Sequence, residues 1–91
     1  MVYLYIRARV LDYARWREGY DMHFAARQAG GATGIELVLR NAEDPNEITV
    51  ILGWNELDQA RTFTHSASLK DAAQLSGVIE LAEIRFLIAG P

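Results

Sequence analysis

The chain has 91 residues, of which 51% are hydrophobic and 23% charged, with a formal net charge of −3 and no cysteine. This length fits one domain spanning residues 1–91, and the composition is that of a folded protein rather than a disordered one. The charge argues against nucleic-acid binding, and the missing cysteines exclude disulfides, thiolate nucleophiles and cysteine metal ligands. No apolar run approaches the ~20 residues of a membrane-spanning helix, and the N-terminus lacks a secretion-signal pattern, so we expect a cytoplasmic protein with no membrane partner.

The first predicted elements are a strand and a long helix. The strand covers Val2 to Val10, where apolar residues alternate with two tyrosines and two arginines. The helix is predicted over Asp12 to Ala29, with Asp12 as its N-cap and Gly30 and Gly31 at its end. A stripe of large side chains recurs along it at steps of three and four, which places them on one side of a helix: Tyr13, Trp16, Tyr20, Phe24 and Arg27.

Two strands follow, over Gly34 to Arg40 and Glu47 to Trp54. The stretch 41–46 between them has the composition of a turn, which predicts a hairpin. Their alternation places Leu37 and Leu39 on the same side of the sheet as the apolar residues of the first strand.

The second half of the chain predicts another helical segment and a last strand. The helical pattern runs from Glu56 to Leu75, with Asn55 as the expected N-cap. Three hydroxyl residues interrupt it at 64–68, and Ser66 is the expected cap of a second short helix. The strand covers Ile79 to Ile88, and its ambiguous alternation predicts a β-bulge near Ala82.

The resulting order, β-α-β-β-α-β, predicts an α+β domain with a split βαβ arrangement and helices on one face of the sheet only. The other face is then predicted to carry apolar and charged residues together: Tyr3, Tyr5, Arg7, Arg9, Glu36, Val38, Arg40, Thr49, Ile51, Glu83, Arg85 and Leu87. Such a mixture suits a protein partner, and a second copy is the simplest one, so we expect a homodimer with its two sheets face to face. Glu36 and Glu83 would neutralise Arg7, Arg40 or Arg85 there. The alternative is an open-faced monomer with snorkelling arginines.

Several short motifs resemble those of one protein group. They are Asp12-Tyr13-x-x-Trp16, Arg27-x-x-Gly30, Asp44-Pro45-Asn46 before a strand ending in Trp54, Phe63-x-x-Ser66-x-x-Leu69, and Gly77-Val78. From about Val10 to Ile88 the chain resembles uncharacterised members of the dimeric α/β-barrel superfamily, which includes antibiotic-biosynthesis-type monooxygenases. The resemblance implies a ferredoxin-like monomer with a four-stranded antiparallel sheet, a dimer that closes into a barrel, and a pocket between sheet and helices.

The superfamily spans cofactor-free oxygenases acting on aromatic polyketides and quinols, haem-degrading enzymes, isomerases and stress-induced proteins. This chain departs from the haem degraders where they carry an asparagine, a tryptophan and a histidine. Arg7, Phe63 and Ala73 stand at those positions. Haem degradation is therefore disfavoured, and the oxygenase activity rests on analogy of fold alone.

Two histidines are the candidate catalytic bases, His23 and His65. His23 lies at the edge of the aromatic stripe, either as a partly exposed side chain without a role or as a general base at the pocket mouth. His65 lies in the helix break beside Ser66, either as a loop residue or as the preferred catalytic candidate with that serine. Neither histidine has metal-ligand spacing, so we expect no metal and no cofactor.

The aromatic residues are predicted to converge between helices and sheet. They are either core or the walls of a pocket for a flat apolar ligand: Tyr13, Trp16, Tyr20, Trp54 and Phe63. Arg27 on the same stripe is either ion-paired with a nearby carboxylate or a clamp for an anion or enolate.

Three functions remain open: a cofactor-independent oxygenase, isomerase or cyclase on a small apolar molecule, a non-catalytic ligand-binding or stress-associated dimer, and an interaction module. A pocket above ~300 Å³ that is lined by Tyr20, Trp54 and His65 would favour the first two.

Overall fold

Four strands and four short helices follow one another in the computed structural model, which describes residues 1–91. In chain order they are β1 (Val2–Val10), α1 (Tyr13–Met22), α2 (Phe24–Gly30), β2 (Ala32–Asn41), β3 (Asp44–Trp54), α3 (Leu57–Thr64), α4 (Ala67–Ser76) and β4 (Val78–Ile88). The strands form one antiparallel sheet in the order β2-β3-β1-β4. The predicted ferredoxin-like α+β fold is confirmed.

The first helical segment is two helices and not one. Asp12 caps α1 as predicted, with its carboxylate accepting from the N–H of Arg15 at 3.2 Å. Gly31 ends α2 in the left-handed conformation, with φ +113°. The helix breaks at His23, whose ψ of 4° is not helical. The prediction of one continuous helix was wrong, and Phe24, placed beyond the break, is exposed rather than on the buried stripe.

The second helical segment breaks where its hydroxyl residues predict. Ser66 caps α4, accepting from the N–H of Leu69 and donating to the carbonyl oxygen of Phe63. The cap of α3 is Glu56 and not Asn55, which corrects the sequence prediction. The reason is Gln59, whose side chain accepts from the N–H of Glu56 and completes a capping box with it.

The alternation of β2 runs in the opposite phase to the prediction. Val38 pairs with Val50, and Glu36 with Leu52, so Glu36, Val38 and Arg40 face the helices. Leu37 pairs with Ile51 and faces the open side, together with Leu39. The pairing is irregular between Ala32 and Glu36, and this irregularity sets which residues of the strand face the core.

The last strand carries the predicted bulge. Arg7 pairs with Glu83 and Ala8 with Leu81, which leaves Ala82 without a partner. The core lies between the sheet and the helices, and its largest fully buried side chains are Trp54, Leu4, Ile48 and Val10. None of the four helices has the length and apolar character needed to cross a membrane.

The open face of the sheet keeps its charges in pairs within one chain. Arg85 lies 2.8 Å from Glu83 of the same strand, and Arg7 lies 3.5 Å from Glu47, whereas the pairing of such charges across a homodimer stays a prediction. Glu36 and Arg40 do not take part, since both belong to the other face. Apolar side chains stand exposed beside these pairs, among them Ile35, Leu37, Leu39 and Leu87.

Candidate functional site

A cavity of about 220 Å³ lies between the sheet and the helices, and we call it the sheet–helix pocket. Twenty residues line it, of which 14 are hydrophobic. Ile48, Val50 and Leu52 of β3 form part of its sheet side, and α1 and α4 supply much of its helix side. The pocket does not meet the criterion set from the sequence, because it is smaller than ~300 Å³ and, of Tyr20, Trp54 and His65, only Tyr20 lines it. A cavity of this size suits a compact ligand.

Five of the nine predicted site residues line this pocket; four come from three helices, and His23 comes from the break between α1 and α2. They are Trp16, Tyr20, His23, Arg27 and Phe63. The rings of Trp16 and Tyr20 stack with centroids 5.0 Å apart, because positions four residues apart lie on one side of α1.

The other four predicted site residues lie outside the pocket wall. Tyr13 is half-buried, and the guanidinium of Arg40 lies over its ring, 3.9 Å from the centroid. Trp54 is fully buried in the core, 4.9 Å from the ring of Phe63. His65 is exposed, and the hydroxyl of Ser66 is occupied as the cap of α4. The structure therefore does not bring His65 and Ser66 to the pocket that holds His23.

His23 reaches the pocket because the chain breaks there between α1 and α2. Its Nε2 lies 3.5 Å from Oγ of Ser68, and its ring centroid lies 6.0 Å from that of Phe63. Burial lowers the pKa of His23 below its ordinary 6.5, and the nearby charge of Arg27 lowers it further. The imidazole is therefore neutral at pH 7 and has a lone pair with which to accept a proton.

Arg27, Tyr20 and Glu36 form a connected polar network at one wall of the pocket. Arg27 is only 3% exposed, and its guanidinium lies 3.9 Å from the ring centroid of Tyr20. It donates to the Tyr20 carbonyl oxygen at 2.7 Å and to Oε1 of Glu36 at 3.2 Å. The Tyr20 hydroxyl donates to the same carboxylate. Burial and this hydrogen bond raise the pKa of Tyr20, so its hydroxyl stays protonated.

Sequence reasoning missed Glu36 in this network, because it assigned β2 the opposite phase. It also missed Lys70 and Gly19, which line the pocket. A Cβ at Gly19 would come within 2.6 Å of the Cβ of Ser76, so a side chain there would push α4 away. The sequence did carry a signal for Gly19. A glycine within a predicted helix lowers the stability of that helix, so its presence indicates that another element packs closely against it.

No three histidine or carboxylate side chains come close enough together to hold a metal ion. The residues of the pocket therefore offer acid–base and electrostatic chemistry: a neutral imidazole, a buried guanidinium and an ammonium, set in an apolar wall.

The fold is shared with antibiotic biosynthesis monooxygenase-like proteins, which confirms at the level of the fold the resemblance seen in the sequence. A Bordetella bronchiseptica protein provisionally described as an antibiotic biosynthesis monooxygenase superposes with a TM-score of 0.81 at 17% identity, over 99% of this chain and 97% of that one. SnoaB, a cofactor-independent oxygenase from Streptomyces nogalater, superposes with a TM-score of 0.77 at 17% identity, over 99% and 93%. Rv0793 from Mycobacterium tuberculosis gives 0.71 at 13% identity, over 99% and 95%. No family profile matches the sequence, and no curated protein matches it.

Proposed function

We propose that the protein binds a small, flat, largely apolar molecule in the sheet–helix pocket and acts on it without a cofactor, as an oxygenase, isomerase or cyclase. The observation that carries this proposal is the place of His23 in the wall of a pocket that is otherwise mainly apolar, where burial lowers the pKa of its imidazole. The fold supports it, because a cofactor-independent oxygenase has the same architecture.

In this proposal His23 is the general base. It accepts a proton from an acidic O–H or C–H group of the bound molecule, and the molecule becomes an anion. The positive charge of Arg27 in the same wall stabilises that anion. The anion then reacts with dioxygen in an oxygenase, or takes up a proton at another atom in an isomerase or cyclase. Trp16, Tyr20 and Phe63 contact the flat face of the substrate.

The proton transfer is assigned to His23 rather than to the pair His65 and Ser66. His65 lies outside the pocket wall, and Ser66 uses its hydroxyl to cap α4. Tyr13 and Trp54 are not among the residues proposed to contact the substrate, because they also lie outside the pocket wall.

A second candidate is a non-catalytic ligand-binding or stress-associated protein. The polar network favours it, because the hydrogen-bonding groups of Arg27, Tyr20 and Glu36 are already paired with one another without a ligand. In that case the pocket serves binding alone, and the loss of His23 leaves no activity to change.

The experiment that tests the enzyme proposal compares two histidine variants. A thermal-shift screen against quinols, phenols and lactones first finds a compound that binds, and product formation and dioxygen consumption are then followed with it. We expect His23→Gln to keep binding and to lower the rate by a factor of about 10² to 10⁴, since that is the usual contribution of a general base. His65→Gln is the matched control and should leave the rate unchanged.

Three results separate the possibilities. A loss of rate in His65→Gln with none in His23→Gln would overturn the assignment of the base. Binding without any turnover in the unaltered protein would favour the non-catalytic candidate. If no compound binds, the proposal that the sheet–helix pocket is a ligand site is wrong.

The proposed assembly is a homodimer in which the open faces of two sheets meet. It is supported by exposed apolar side chains such as Leu37 and Leu39, beside charges that are already paired within each chain. Two such sheets would close the dimeric α/β barrel that the sequence resemblance implies. We also propose a cytoplasmic location, because the chain has no cysteine and so none of the disulfides that are common in small secreted domains.

A further inference from the structure

The wall of the sheet–helix pocket carries positive charge and no acidic residue. The chain has 12 acidic and nine basic residues and a net charge of −3, yet not one Asp or Glu lines the pocket. Its two formally charged lining residues are Arg27 and Lys70. The pocket is therefore opposite in sign to the molecule as a whole.

The two cations differ in how far the protein neutralises them. Arg27 is buried and donates to Glu36, which offsets its charge. Lys70 is exposed on α4, and its side-chain ammonium forms no hydrogen bond or ion pair with any residue of the chain. It is also the only lysine in the sequence. One uncompensated positive charge therefore stands at the edge of an apolar cavity.

We propose that the pocket takes an apolar molecule with one carboxylate group, and that Lys70 is the residue that selects for this charge. The hydrophobic lining receives the apolar body, because burial of that surface drives binding. The carboxylate stays at the exposed edge with Lys70, since an unpaired charge inside the apolar part would be costly to desolvate. This inference rests on the proposed function and names the class of molecule that the same pocket accepts.

The test uses three probes that share one ring system and differ in charge: 1-naphthoate, 1-naphthamide and 1-naphthylmethylammonium. Their dissociation constants are measured by fluorescence titration at pH 7.5 and low salt. We expect 1-naphthoate to bind about fivefold more tightly than 1-naphthamide, since an ion pair at a solvent-exposed edge contributes little more than that. The ammonium compound should bind most weakly, and 0.5 M salt should remove most of the difference.

Lys70→Gln should bring 1-naphthoate to the affinity of 1-naphthamide while leaving the amide unchanged. Arg61→Gln is the matched control, because it also removes one positive charge from the second helical segment but lies outside the pocket wall. The preference for the carboxylate should persist in that variant.

A second readout uses the single lysine directly. Reductive methylation with ¹³C-formaldehyde labels only Lys70 and the N-terminal amine, so two methyl signals are expected in the NMR spectrum. Addition of 1-naphthoate should shift the Lys70 signal and leave the N-terminal signal in place, and 1-naphthamide should shift the Lys70 signal much less.

The outcomes distinguish this inference from the proposed function. Equal affinity for the acid and the amide would overturn the charge selection while leaving the pocket as a ligand site. A preference that survives in Lys70→Gln would overturn the role of Lys70. Failure of all three probes to bind would count against both the inference and the proposed pocket.

Discussion

The two faces of the sheet place leucines in opposite environments, although both sets alternate along strands in the same way. Leu4 on the helix-covered face is fully buried, whereas Leu37 on the open face is 48% exposed. The arginines differ as well: Glu36 on the covered face pairs with the buried Arg27, whereas Glu47 on the open face pairs with Arg7, whose side chain is 39% exposed. The covered face is therefore enclosed within a single chain at its central strands β1 and β3, whereas on the open face the charges are paired but leucines remain exposed.

The largest effect is expected from shortening a leucine on the covered face. Leu4→Ala should lower the free energy of unfolding by about 4 kcal/mol, because a fully enclosed site collapses little after the side chain is removed. Leu37→Ala, measured at a concentration where the chain is monomeric, should cost less than ~1 kcal/mol. Urea unfolding followed by circular dichroism measures both values. Equal losses would mean that the two faces do not differ in packing.

A slightly smaller effect is expected from removing the buried arginine. Arg27→Met should cost about 3 kcal/mol, since it leaves Glu36 without the buried partner of its ion pair. Arg17→Met is the matched control on the preceding helix, where Arg17 pairs with Asp21 on the surface, and it should cost only about 0.5 kcal/mol. The same unfolding assay applies. A cost for Arg27→Met no larger than that of the control would show that the network does not stabilise the fold.

A substitution on the open face of the sheet should change the association of two chains rather than the folding of one. Leu37→Glu should abolish the proposed homodimer, because it places a charge among apolar side chains that the second sheet would cover. Light scattering after gel filtration gives the mass, and circular dichroism should show an unchanged fold. Leu75→Glu is the matched control, since Leu75 is exposed on α4, away from the sheet. A dimer that survives Leu37→Glu, or a wild-type monomer at micromolar concentration, would contradict face-to-face pairing.

The smallest effect concerns pH and the covered face. The folded-state pKa of His23 is lowered, so folding favours its neutral form. Its stabilising contribution is therefore fully present above the unfolded pKa of about 6.5 and is lost as the pH falls through the lower folded value. Between pH 7.5 and 5 the unaltered protein should lose more stability than His23→Gln does. Parallel losses in the two proteins would show that protonation of His23 is not coupled to folding.

Much of the fold was predictable because its signals are local. Asp12 before α1, Gly31 after α2 and Ser66 before α4 all act through hydrogen bonds or backbone angles of their own neighbourhood. The bulge at Ala82 was visible as a change in the alternation of the strand. The predicted element order was sufficient for the ferredoxin-like topology, because a short chain with this order has few ways to pair its strands.

The candidate site was only partly predictable, because it depends on where helices break and how strands pair. The aromatic stripe correctly brought Trp16 and Tyr20 to the pocket. The preference for His65 over His23 followed from its place in a predicted break, yet the unpredicted break at His23 is the one that faces the pocket.

The sequence by itself determined the strands, the helical segments, the caps of α1 and α4 and the fold class, since each follows from periodicity and from contacts within a few residues. Only the tertiary structure decided which side of β2 faces the helices, because Glu36-Val38-Arg40 and Ile35-Leu37-Leu39 both alternate acceptably along a strand. The structure places Glu36 against Arg27 and Tyr20, partners that lie nine and 16 residues away in the chain. A choice between two faces depends on which side chains meet across elements, and local periodicity carries no information about that meeting.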